Sequence, residues 1–287
     1  MWFFYAFLAA FSWATADLFS KKLMIERGMD EYITLWARFA FAVPLLGAFL
    51  VFQGVPSVAP AFWWTVLIWL PGDLVASLLY IKAVKDYPLS LVVPLLSTAP
   101  VFMILTSIVI LGEYPSYGGI AGVFLVTLGA YTLNLHMMEE GILAPLKALY
   151  QVKGARYAII AAFIFSVDTA IGKIALQASN AVFFSFFYSA AMALGFLPVL
   201  LSTSGRPFRQ GWDWRFTAVG FLFAVGVLAF LKAIGLANIA YVSGVGRLSM
   251  VIAVLYGRFF FGEVHLRQRL AGSLIIFVGV FLILWRG

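Results

Sequence analysis

Two stretches set the frame of this chain: "YAFLAAFSWATADLFSKKL" at residues 5–23 and "YAIIAAFIFSVDTAIGKIA" at residues 157–175. Laid over one another, Tyr5, Ala6, Ala9, Ala10, Phe11 and Lys21 fall on Tyr157, Ala158, Ala161, Ala162, Phe163 and Lys173 at a constant offset of 152. Further along, the offset settles at 150. Lys82-Ala83 then matches Lys232-Ala233, Gly112-Glu113 matches Gly262-Glu263, and Ala121, Gly122 and Gly129 match Ala271, Gly272 and Gly279. Scattered identities are expected in an apolar alphabet, but one register held from the third to the fifth helix of each half is not. The chain reads as two copies of one unit.

The solvent around that unit follows from composition. Of 287 residues, 64% are hydrophobic and 11% charged, against about a quarter charged in soluble domains. A bilayer core needs about 20 apolar residues per helix, and such windows recur near 2–20, 33–52, 61–81, 89–111, 117–135, 156–177, 181–201, 215–234, 240–261 and 269–285. The expected organisation is a first repeat over 1–135, a connecting loop over 136–155 and a second repeat over 156–287. Five spans per copy is an odd number, so the second copy enters the membrane from the opposite side. The fold class expected is an all-α polytopic membrane protein of ten transmembrane helices in two inverted five-helix repeats. Many secondary transporters are built this way, with the substrate site near the midplane where the halves meet.

Charge and residue usage remove several alternatives. The net charge of +7 sits at helix ends and in short loops, as membrane orientation requires, and not in the surface cluster that binds nucleic acid. Without cysteine there is no disulfide, thiolate metal site or cysteine nucleophile. "ATAD" at 14–17 offers the Ala-x-Ala of a signal-cleavage site, but no basic residue precedes the apolar run and the same helix recurs at 157–175, so the first helix reads as a span. Counting Lys and Arg by connection gives fourteen in the odd loops and three in the even loops and tail. Lys21/Lys173 and Lys82/Lys232 are repeat mates on opposite faces and cancel, leaving twelve against one. The positive-inside rule then places the odd loops in the cytoplasm and both termini outside.

A Trp in the first helix (Trp13), an Arg opening the second (Arg38), a "GE" turn before the last helix and "GxxxxxxG" within it resemble an EamA-type member of the drug/metabolite transporter superfamily. The stretch "PLSLVVPLLSTAPVFMILTSIVILGEYPS" (88–116) carries the resemblance best, and it extends over both halves. It implies the inverted-repeat fold, transport of a small metabolite, and Trp13 as a cavity wall. Similar chains move amino acids, sugars, nucleotide sugars or organic cations, more often outward, and are drawn with both termini cytoplasmic, opposite to the charge count. The second half departs from the pattern: Phe165 stands in the place of Trp13, and no Arg opens its second helix.

Ionisable residues within spans are costly, at least a few kcal/mol each, and usually face the bundle or a hydrated cavity. Asp17 lies four residues before Lys21, a spacing that suits a local ion pair. Asp168, inside "FIFSVDTAIGK" (163–173), has no such partner, since Lys173 is five positions on. Two readings stand for it: a lock between helices, helped by the small residues Ala161, Gly172 and Ala175 on its face, or an acid lining a cavity as proton carrier or anchor for an amine. Trp69, Asp73, Ser77 and Tyr80 form one stripe on the third helix, while their repeat mates Val219, Phe223, Val227 and Phe230 are all apolar. A stripe present in one half only points to a substrate with a polar end and an apolar body, the alternative being a buried hydrogen-bond network of purely structural value.

Arg247 has Ser243 and Gly244 on its face, and its repeat mate is Ser97, in a helix carrying Pro94 and Pro100. Interrupted helices at matching positions of the two halves point to a transporter's site. Arg247 either clamps a substrate carboxylate or phosphate or neutralises Asp168 or Asp73. Gly118, Gly122, Gly129, Gly272 and Gly279 read as close-packing positions, and Glu113 and Glu263 as ties for loop amides or helix ends.

An intramembrane aspartyl protease needs Gly-x-Gly-Asp, and "LPGD" (70–73) lacks the first glycine. The histidines, His136 and His265, fall in loops, away from any intramembrane serine-protease or zinc site. A non-transporting scaffold or lipid-handling subunit would show fully paired polar groups and no central cavity. The reading is therefore a carrier of the inner membrane, not an enzyme, moving a small amino-acid-like or similar amphiphilic solute by alternating access. Transport of a sugar, nucleotide sugar or organic cation is the alternative. Trp13, Trp69 and Tyr80 are the candidate apolar contacts, and Asp73, Ser77, Ser97, Asp168, Ser243 and Arg247 the polar ones. Expected partners are the small-molecule substrate and the lipid bilayer, with protons as a candidate coupling ion. No cofactor, metal or nucleic acid is expected, and the assembly is a monomer or homodimer.

Overall fold

The computed structural model describes residues 1–87, 89–133, 144–203, 213–261 and 266–286, and every regular element among these is a helix. The first half comprises α1 (Trp2–Arg27), α2 (Glu31–Ala40), α3 (Ala42–Gln53), α4 (Pro60–Asp86), α5 (Leu89–Leu96), α6 (Ala99–Leu111) and α7 (Tyr117–Leu133). The short α8 (Ala144–Gln151) leads into the second half: α9 (Lys153–Gln177), α10 (Ala181–Thr203), α11 (Trp214–Leu236), α12 (Ile239–Gly246), α13 (Leu248–Phe261) and α14 (Leu266–Arg286). The ten expected spans correspond to eight stretches long and apolar enough to cross a membrane, and to two shorter apolar helices, Tyr117–Leu133 and Ala271–Arg286. The chain is an all-helical, multi-pass membrane protein. His136, Arg206, Arg209, Gly262, Glu263 and His265 lie outside the described residues.

The helix ends follow local chemistry. Asp30, Asp213 and Asn238 cap α2, α11 and α12 by accepting from the backbone N–H two residues on, at 2.7, 2.9 and 2.9 Å. Gly28 and Gly112 end α1 and α6 in the left-handed region, φ 63° and 66°, where glycine carries no side-chain penalty. At the second of these the N–H of Glu113 bonds the carbonyl of Ser107 at 2.9 Å. The "GE" turn is thus a helix stop, and it leaves Glu113 free to reach elsewhere.

The direction of the two copies is visible in one seam. A Cβ built on Gly122 would stand 2.8 Å from the carbonyl oxygen of Gly279, and one on Gly129 2.8 Å from that of Gly272. As the residue number rises on α7 it falls on α14, so these repeat mates run antiparallel, glycine against backbone. The other contacts obey the same two-fold relation. α1 of the first half packs on α11 of the second, and α4 of the first packs on α9 of the second. Buried alanines, Ala6, Ala9 and Ala10 on α1 and their mates Ala158, Ala161 and Ala162 on α9, keep these approaches close.

Two spans are broken at matching places. Between α5 and α6 the chain turns at Ser97 and Thr98, whose hydroxyls donate to the carbonyls of Val93 (2.9 Å) and Leu95 (2.6 Å). Pro100 has no N–H to give the carbonyl of Leu96. That carbonyl instead accepts from Nη2 of Arg247, at 3.4 Å, in the break between α12 and α13. The two interruptions therefore meet across the pseudo-two-fold axis, one supplying an orphaned acceptor and the other a cation.

Candidate functional site

Between the halves lies a cavity of about 210 Å³. Its walls come from α1 (Trp13), α4 (Trp69, Asp73), α9 (Phe165, Asp168, Thr169, Gly172), α10 (Phe184, Tyr188) and α11 (Phe223, Val227, Phe230, Leu231, Ile234). Trp69 and Asp73 of the α4 stripe, and Phe223, Val227 and Phe230 among its mates on α11, thus border one space. Asp73 gives the α4 side an acid, and Phe223, Val227 and Phe230 make the α11 side apolar. Of the residues singled out in the sequence, Trp13, Trp69, Asp73 and Asp168 share this cavity.

The polar wall is built by close approach. Asp168 presses on Gly72 of α4: a Cβ there would stand 2.6 Å from Oδ1 of Asp168. A side chain at that position would push the carboxylate from its place beside the next residue, Asp73. Asp73 is 6% exposed and shares the cavity lining with Asp168 and with the phenol of Tyr188. Oδ2 of Asp168 is shielded and has no hydrogen-bond partner, and the indole N–H groups of Trp13 and Trp69 are likewise shielded and unpartnered. Buried polar atoms are nearly always satisfied, so the unpartnered oxygen of Asp168 and indole of Trp69, on residues that line one small cavity, suit a polar occupant.

The aromatic walls are held in place. Trp69 stands 5.5 Å from Tyr188 and 5.7 Å from Phe184, ring centre to ring centre, and Trp13 stands 5.3 Å from Phe230. The Trp13 indole nitrogen faces Gly226, where a Cβ would lie 2.5 Å from it. At the cavity's edge Arg38 of α2 lies over Phe223, 5.9 Å from the ring centre, and pairs with Asp17 at 3.1 Å. Asp17 therefore reaches across to another helix, beyond the local pair with Lys21 that its spacing suggests. Tyr80, 40% exposed, lies within electrostatic reach of Asp17 and Arg38.

The other candidates stand apart from the cavity lining. Ser77 is half-buried one turn beyond Asp73, and Ser243 is half-buried on α12. Ser97 is buried in the α5–α6 break and bonded to its own helix. Arg247 holds the Leu96 carbonyl, with its Nε unpartnered; its described bond is to neither Asp73 nor Asp168. Glu113 reaches Nζ of Lys173 at 2.6 Å, and the same ammonium donates to the carbonyl of Ala237 at 2.8 Å. The acid of the "GE" turn thus ties the ends of α6, α9 and α11 together, the structural role its position suggested.

Tyr188, Gly72, Phe165 and Thr169 were not singled out as site residues from the sequence. The last two are the repeat mates of Trp13 and Asp17 at offset 152, so the repeat pointed to them. Tyr188 had only the weaker signal of one phenol in a run of phenylalanines.

Comparison with known proteins agrees with this architecture. The signature of the EamA-like transporter family matches residues 1–135 and again 152–285. No curated protein matches the chain. A solved crystal structure of a protein 15% identical superposes with a TM-score of 0.75 over 98% of this chain and 95% of its own, a likeness of fold.

Proposed function

The chain belongs to the EamA-like transporter family, and from that premise we propose that it is a secondary carrier of the inner membrane. The solute is small and amino-acid-like, with a charged end and an apolar body, and export is the favoured direction. Movement is by alternating access: the two halves rock about a fixed site at the bilayer midplane. The observation that carries this reading is the cavity between the halves, with one acidic wall and one apolar wall and with polar atoms left unpartnered. A scaffold that only holds its own bundle together has no use for such a cavity.

Asp168 is the candidate coupling residue, because it is the acid on the cavity whose carboxylate retains an unpartnered oxygen. A thermal-shift screen of metabolites on purified protein tests the carrier, since a ligand that binds only the folded state raises the melting point. At least one amino-acid-like solute is expected to stabilise the protein and to exchange across reconstituted liposomes. Absence of both effects removes the reading. Asp168→Asn is expected to lose flux driven by a pH gradient, and undiminished flux takes Asp168 out of the coupling role.

A further inference from the structure

The cavity's chemistry narrows which end of the solute is recognised, an inference that rests on the carrier reading above. Among the residues lining it there are two carboxylates, Asp73 and Asp168, and no lysine or arginine. Three described cations have partners of their own: Arg38 pairs with Asp17, Lys173 with Glu113 and Ala237, and Arg247 with the carbonyl of Leu96, the two arginines each keeping an unpartnered Nε. The two carboxylates border one small space, Asp168 lying against Gly72 beside Asp73, and each, when ionised, accepts up to about four hydrogen bonds. Uncharged donors that share the lining with them include the phenol of Tyr188 and the indoles of Trp13 and Trp69. What is missing is one positive charge bearing several N–H groups.

A metal ion does not meet that need. Hard cations take about six or more oxygen ligands, and the described residues contain no cluster of three or more metal-ligating side chains. An ammonium does meet it: it brings three N–H donors and a full charge. Trp69 and Tyr188, fixed against one another at 5.5 Å, add aromatic faces that attract cations. The opposite wall of Phe223, Val227 and Phe230 suits a hydrocarbon or ring. At about 210 Å³ the space is below the roughly 300–1,000 Å³ of drug-sized pockets, which limits the body to about one ring or a short chain.

We infer that the solute is held by a protonated amine seated between Asp73 and Asp168, with its apolar body laid against α11. Gly72 is a positioning residue for this site, since a side chain there would meet the Asp168 carboxylate and shift it.

Three probes with one body and different ends test it on detergent-purified protein: phenethylamine, hydrocinnamate and phenethyl alcohol. Phenethylamine is expected to bind, read as a saturable rise in melting temperature and by calorimetry, with the acid and the alcohol inactive over the same range. Asp73→Asn and Asp168→Asn are each expected to weaken the amine about tenfold or more, the loss typical of a charge-assisted hydrogen bond. Gly72→Ala is expected to weaken it while keeping both charges, and size-exclusion profile and helix content show whether each variant is folded.

Binding of hydrocinnamate or the alcohol as tight as that of the amine, no binding of the amine, or folded Asn variants that bind it undiminished would each overturn the inference. Flux in liposomes separates the two readings. A protein that carries acids or neutral solutes through an unaffected Asp168→Asn cavity keeps its carrier function and loses the amine site. One that binds the amine but moves no solute keeps the site and loses the carrier function.

Discussion

The seam between α7 and α14 and the cavity between α4 and α11 are both built from repeat mates, yet they treat the repeat in opposite ways. In the seam the halves carry the same residue at matching positions, Gly122 with Gly272 and Gly129 with Gly279. In the cavity they differ: Trp13 stands against Phe165, and Asp73 against Phe223. The symmetric positions contact backbone and close the bundle. The asymmetric ones face a space that no side chain fills. Duplication supplies the two inverted frames, and divergence between the copies supplies a binding site with a polar wall and an apolar one.

The largest effect on stability is expected outside the cavity, at the Lys173–Glu113 pair. Lys173 and Glu113 also have mates of the same type, Lys21 and Glu263, which places them with the structural group. The Lys173 side chain is 5% exposed and that of Glu113 31%, so removing the acid leaves a buried ammonium short of its counter-charge, at a cost approaching the figure of about 3–5 kcal/mol for a fully buried pair. Glu113→Gln should lower the melting temperature sharply, and adding Lys173→Met should restore part of it, because both charges are then gone. A double variant less stable than either single one would contradict this account of the pair.

Next comes the seam. Gly129→Leu forces side-chain atoms onto the backbone of Gly272 and Ile276, and overpacking of this kind costs about 1–3 kcal/mol. The same change at Gly279, its repeat mate, should cost a similar amount, whereas cavity mates should respond unequally. Chemical unfolding of the two variants in mixed micelles makes the comparison. Strongly unequal costs would mean that the seam is less symmetric than its residues.

The smallest effect concerns the crossing of the broken helices. If Arg247 serves the carbonyl that Pro100 leaves orphaned, then Pro100→Ala, which restores an N–H to that turn, should make Arg247 partly redundant. A double-mutant cycle with Arg247→Met should show a coupling of about 1 kcal/mol, the usual worth of one hydrogen bond. Strict additivity would remove the link.

Much of this architecture was legible in the residues, and the reasons are physical. Hydropathy marks spans because the bilayer core tolerates no other backbone. The fixed register of "GE" and Gly122/Gly129 marks the repeat because helix stops and glycine contacts admit few substitutes. Asp73 and Asp168 stood out because a carboxylate within a span is costly. What escaped depends on distances between helices. Nothing in "LPGD" shows that Gly72 faces another helix's acid, and nothing in "FFSFFYSAA" shows that Tyr188 shares a cavity with Asp73. The stripe on α4 continues to Ser77 and Tyr80, but the cavity does not, because a 27-residue helix is longer than the space it borders. Arg247 stood out for its charge, while its partner is a backbone carbonyl whose availability depends on a proline 147 positions earlier.

The central claim is that a hydrated cavity lies between the inverted halves, and the absence of cysteine from the chain allows a direct measurement. Single cysteines at Thr169 and Val227, on facing walls, and at Val126, in the seam, can be treated with a small, charged, membrane-impermeant thiol reagent. Thr169→Cys and Val227→Cys are expected to react and to be shielded by a transported solute, while Val126→Cys stays inert. If the two wall positions prove as unreactive as the seam position in folded protein, the centre is closed to water and the carrier account is contradicted.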